Sequence, residues 1–149
     1  MSRTPLAALL AVALAAGCGS SDKTTTPSTT AMPSAFSANV TNAWFPLRPG
    51  SVYRYRGVKD GEPSREVMTV THRTKTIQGA RCVAVSDRLY LAGHLEERTS
   101  DWYTQDGRGN VWYFGEATAE LDAHGRVTST EGSWQAGVQG AKAGLFMPA

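Results

Sequence analysis

The stretch DWYTQDGRGNVWYFGE, residues 101–116, sets Trp102, Tyr103, Trp112, Tyr113 and Phe114 on either side of a glycine-rich centre. Gly107, Gly109 and Asn110 are residue types that accept positive φ in tight turns. The flanking aromatics favour strands and pair across them. A β-hairpin is therefore expected. With Gln105 opposite Val111, Tyr103 faces Tyr113, Thr104 meets Trp112 and Trp102 meets Phe114. Trp102, Trp112 and Phe114 then share one face, expected to be core, and Tyr103 and Tyr113 share the other. A slip of one residue would exchange the faces.

Two chemical readings of the same stretch fail on its residues. A calcium loop needs oxygen ligands at alternate positions followed by glycine. Here Arg108 stands where a second ligand belongs and Val111 where the glycine belongs, counting from Asp106. A dinucleotide loop would need glycine at Trp112, and it would need a helix after the turn rather than a strand.

Outward from the hairpin, strand-like runs alternate with turn signals. SVYRYRG (51–57) leads into the turn KDGE (59–62). EVMTVTHRTKTI (66–77) ends at Gln78-Gly79, and RCVAVSDRLYL (81–91) ends at AGH. LEERTSDWYTQ (95–105), VWYFGEATAEL (111–121) and RVTST (126–130) complete six strands joined by short loops. That order describes a mainly β, antiparallel meander forming a curved sheet, half-barrel or open barrel. GEATAELDA is the one stretch that could form a short helical turn. EGSWQAGVQGAKAGLFMPA (131–149) is glycine-rich and reads as a loop crossing the sheet.

The N-terminus carries an address. Arg3 precedes an apolar run from Leu6 to Ala16, within the roughly 7–15 residues of a secretory signal. It is shorter than the roughly 20 residues of a permanent membrane span. The run ends LAAGC, and small residues before Cys18 resemble a bacterial lipobox, at which the cysteine is lipidated and the leader removed. Ala15 stands three before the cysteine, where that motif usually has leucine. Acyl chains contribute about 0.8 kcal/mol per buried CH2, so the several chains of a lipobox lipoprotein imply firm anchoring. The Ser-, Thr- and Pro-rich run that follows has almost no large apolar side chains, and it reads as a disordered tether. The expected organisation is a signal peptide over 1–17, a tether over 18–40 and a β domain over 41–149.

Other chemistry is sparse. The net charge of +2 with no basic run gives no argument for a nucleic-acid partner. Cys18 and Cys82 sit in unlike contexts, and Cys82 reads as a buried, inert thiol. HLEER (94–98) lacks the second histidine of a zinc-protease helix, and His72, His94 and His124 have no metal-ligand spacing. Glu96, Glu97 and Asp101 could pair carboxylates, but a solvated strand face explains them as well. Nothing calls for a cofactor or a metal.

WFPLRPGSVYRYRG, DWYTQDGRGNVWYFGE and EGSWQAGVQGAKAGLFMPA together resemble a family of uncharacterised bacterial secreted proteins and lipoproteins. Its members open on a Phe-Pro-Leu-x-Pro-Gly motif and carry the same aromatic hairpin. The likeness covers about Trp44 to Ala149. It implies no activity; members commonly continue past the Met-Pro-Ala seen here at Met147 to Ala149 with further strand-like sequence, so the expectation is a β domain that lacks those C-terminal strands. The resulting expectation is a lipid-anchored, extracytoplasmic β domain of non-catalytic binding or envelope-interaction type. Its partners would be the membrane, through a lipid on Cys18, and an envelope protein or apolar ligand. Tyr103 and Tyr113, with Trp134 from the tail, are the candidate ligand or partner face; cover of these rings by the tail is the competing reading. The alternatives are a carrier of an apolar ligand or lipid in a concave sheet, and a hydrolytic enzyme with an unrecognised site.

Overall fold

The computed structural model describes Pro33 and residues 35–149. The expectations for the signal, Cys18 and most of the tether lie outside the described residues. Nine strands follow in order: β1 (Phe36–Ser37), β2 (Val52–Lys59), β3 (Glu62–Ile77), β4 (Ala80–Leu91), β5 (His94–Asp106), β6 (Val111–Leu121), β7 (Val127–Ser129), β8 (Trp134–Gln135) and β9 (Gly144–Met147). No helix occurs among the described residues; GEATAEL belongs to β6, and Asp122-Ala123 lead into the next turn. Strands β2 to β7 form one antiparallel meander, curled into a half-barrel.

Three hairpins have two-residue turns whose residues all take positive φ: Asp60-Gly61, Gln78-Gly79 and Ala92-Gly93. This is the turn geometry whose twist matches that of the flanking strands, which explains why the strands run long and in register. β3 is longer than its sequence suggests, because it takes in Glu62–Arg65 opposite β2, with Ser64 and Arg65 also opposite β4.

The tail is where the structure departs most from expectation. It does not cross the sheet as a loop. β9, β8 and β7 lie in succession along the outer edge of β6, pairing at Val111–Tyr113, at Gly115–Glu116 and at Glu120–Leu121. A bare strand edge exposes a row of unpaired backbone groups, and three short strands satisfy it here.

The N-terminal part of the sheet also reaches further back than composition suggests. β1 pairs with β5 at Asp106 and Gln105, next to where the β4 ladder stops at Val83↔Tyr103. The buried Thr104 hydroxyl bridges that junction, lying 3.0 Å from the Ser37 carbonyl and 2.9 Å from that of Arg81. Val40, fully buried, bridges to Leu47. Phe36–Val40, read from composition as tether, therefore belong to the packed domain.

Both faces are apolar at the end of the sheet that holds the 101–116 hairpin. On one, the tryptophan face, Trp102, Trp112 and Phe114 pack with Ile77, Cys82 and Ala84. On the other, the tyrosine face, Tyr103 packs with Val40, Leu47, Val70, Val83 and Val85. At the opposite end the faces diverge. Thr99, Asp101 and Thr118 on the tyrosine face are buried, whereas Arg88, Arg98 and Ala117 on the tryptophan face are exposed, so the tyrosine face is the sheltered one.

Candidate functional site

The hairpin has the expected register at its tip: Gln105↔Val111, Thr104↔Trp112 and Tyr103↔Tyr113. One step further it differs, because Trp102 stands opposite Gly115 rather than Phe114. Phe114 is the extra residue of a β-bulge, and its ring still joins the tryptophan-face core. Gly115 takes φ 138°, and a Cβ there would lie 2.3 Å from the Trp134 carbonyl oxygen. Only glycine lets β8 approach so closely.

The turn is organised by Asp106. Its Oδ1 accepts the backbone N–H groups of Arg108 (2.8 Å) and Asn110 (3.0 Å). Its Oδ2 accepts the Asn110 side-chain amide and the Trp112 indole N–H, each at 2.9 Å. Burial pushes this carboxyl up, but the donors outweigh it and hold it below the usual range. Both oxygens are committed to the turn. Chain segments from both ends clamp the same turn. Asn42 donates to the carbonyls of Gly109 and Pro148, and Asn110 accepts the Ala149 N–H. Gln105 accepts the N–H groups of Thr41 and Asn42.

The three candidate face residues do come together. The Tyr103 and Tyr113 rings stack at 4.7 Å, and Trp134 meets Tyr113 edge-on at 5.3 Å. Phe45 and Phe146 roof Tyr103 at 5.3 and 5.0 Å and lie 4.8 Å from each other. Tyr103 is only 7% exposed. The cover is thus supplied by Phe146 of the tail and by Phe45 of the N-terminal segment, with Trp134 at the side. Burial raises both tyrosine hydroxyls well above their ordinary range, so both stay protonated.

Below the rings lies a feature that the sequence reading missed. Tyr113 donates a 2.6 Å hydrogen bond to Asp101, which is 8% exposed. Asp101 is directly opposite Glu116, and Glu97 directly opposite Glu120. Burial lifts the Asp101 carboxyl to about 6; the Tyr113 bond opposes this, and Glu116, Asp87 and Glu97 add to it. Asp87 rises to about 7 through burial and through its contact with Glu66. Asp87 Oδ1 is buried with no donor facing it. A solvated strand face does not describe Asp101. The like-charge pairing was hidden because it is set across strands, by register, and the bulge at Phe114 is what brings Glu116 onto this face.

The remaining candidates are placed apart. Cys82 is fully buried, and burial pushes its thiol up to about 12 against the opposing pull of Lys75. The ammonium of Lys75 sits 3.5 Å over the Trp102 ring. His94 shares a depression of about 220 Å³ with Glu62, Glu96 and Asp122, floored by Leu91 and Leu121. There Asp122 is engaged by the N–H groups of His124 and Arg126 and by the Arg126 guanidinium. His72 and His124 are exposed elsewhere. Among the described residues, no three His, Cys, Asp or Glu side chains are placed to hold a metal ion. Compared with known proteins, the chain matches no family model, no curated protein and no solved structure.

Proposed function

We propose that this chain is a lipid-anchored, extracytoplasmic β domain with a non-catalytic role, presenting an interaction surface at a bacterial envelope. Acyl chains on Cys18 would hold it to the membrane, and the polar run after it would supply reach. The observation that favours interaction is the aromatic roof. Phe45 and Phe146 touch over Tyr103, Phe146 is 43% exposed, and Trp44, next to Phe45 in the chain, is 78% exposed. Large rings exposed beside a rigid aromatic cluster suit recognition of an envelope protein or an apolar ligand. The carrier alternative is weaker because side chains already fill this end of the tyrosine face. The hydrolytic alternative would draw on Asp87 and Asp101. Asp101 is tied to Tyr113, and neither Asp87 nor Asp101 borders the depression beside His94.

The test is a photoreactive side chain in place of Trp44 in the full-length protein, cross-linked in cells, with native mass spectrometry of the purified wild type. A discrete adduct or bound ligand that is lost in Trp44→Ser is expected. Absence of both adduct and ligand would count against an interaction role.

A further inference from the structure

The arginines of this chain are scattered in sequence, yet the register gathers them. On the tryptophan face one row runs across five strands as Arg54, Val67, Arg88, Arg98 and Ala119. The adjacent row runs Val52, Thr69, Ser86, Ser100 and Ala117. Arg88 and Arg98 are direct cross-strand partners. Both are exposed, and like charges so placed repel. Among the described residues the one ion pair is Arg126–Asp122, so neither guanidinium has a carboxylate. By the same register Glu66, Asp87, Glu97, Asp101, Glu116 and Glu120 fall on the opposite face.

Arg88 and Arg98 edge a cavity of about 370 Å³, which Arg73 also lines from the irregular stretch of β3 between Val70 and Thr74. Ser86 and Ser100 supply hydroxyls, and Ala117 is too small to fill the space. Among the described residues no carboxylate lines it. Three arginines and two serines bordering one depression carry the chemistry that recognises a tetrahedral oxyanion, since a guanidinium fork can donate two parallel hydrogen bonds.

We propose that this pocket is a binding site for a dianionic phosphate group, whether free phosphate or the terminal phosphate of a lipid headgroup. The anion neutralises the Arg88–Arg98 repulsion, and Arg73 closes over it. This site is independent of the aromatic roof and of anchoring through Cys18.

Thermal unfolding of the full chain, followed by tryptophan fluorescence at constant ionic strength, tests it. Inorganic phosphate and glycerol 3-phosphate would each be compared with chloride. A saturable rise in Tm of about 3–6 °C is expected at tenfold excess over half-saturation. Arg98→Gln should abolish the rise while leaving Tm in chloride unchanged or higher, because it also removes the repulsion. Arg73→Gln should weaken the rise, and Arg126→Gln, outside the pocket, should keep it. A rise with inorganic phosphate identifies the free ion as sufficient; a rise with glycerol 3-phosphate alone identifies a headgroup. No rise with either probe, or an undiminished rise in Arg98→Gln, would overturn the proposal.

Discussion

Tyr113 and Asp101 are joined by a 2.6 Å hydrogen bond inside the sheltered face, on opposite sides of the bulge that reverses the facing of β6. Above the bond is a stack of aromatic rings, and beside it a set of carboxyls that face one another across strands. The arrangement holds protons that exposed carboxyls would release.

Stability should therefore fall as pH rises. The folded values of Asp101, about 6, and Asp87, about 7, lie above the unfolded value of about 3.9. The folded state binds these protons more tightly, so their contribution is complete below about pH 3.9 and is lost as pH rises through 6 and 7. Tm at pH 8.5 is expected below that at pH 5, with Asp87→Asn and Asp101→Asn each flattening the decline. A wild-type Tm that is level across this range would exclude the proton-holding network.

Asp106 works in the opposite sense. Its lowered value means that its contribution is present above about pH 3.9 and is lost as pH falls through the folded value. Asp106→Ala leaves the buried Trp112 indole N–H without an acceptor and the turn amides without their organiser. A loss of about 2–4 kcal/mol in urea unfolding is expected. A change under about 0.5 kcal/mol, the ordinary surface effect, would contradict the assigned role.

Both faces of the hairpin end should behave as core. Trp112→Ala is expected to lower stability by about 3–5 kcal/mol. Tyr103→Ser should be of similar size, since it removes the ring on which Phe45, Tyr113 and Phe146 pack. Urea midpoints of the two variants decide the point: a near-wild-type Tyr103→Ser would mean that the roof does not depend on the ring beneath it.

The hairpin was legible in the sequence because glycines and asparagine mark its turn and aromatics mark its strands. The same signals located the six-stranded meander. The bulge was not legible, because Gly115 gives no sign by itself of the backbone that will press against it. β8 and β9 were missed for a related reason. Two and four residues are too few to carry an alternating pattern, and their pairing is imposed by the open edge of β6. Burial of Asp101 depends on sheet curl and on Tyr113, neither of which is local to LEERTSDWYTQ.

The boundary of the folded part gives another test. Phe36 packs edge-on against Phe114 at 5.2 Å and Trp112 at 6.1 Å. Deleting residues 19–31, whose composition supplies no core residues, should leave Tm unchanged. Extending the deletion to residue 38 removes Phe36 and β1 and should lower stability by about 2–4 kcal/mol. Equal Tm values for the two deletions would place Phe36 outside the core.

Anchoring through Cys18 is tested most directly by fractionating cells that express the full chain or Cys18→Ser. The wild type is expected in the membrane fraction after high-salt and alkaline washes, carrying label from a radioactive fatty acid, and the variant in the soluble fraction without label. A Cys18→Ser protein that stays as firmly membrane-bound as the wild type would contradict lipid anchoring.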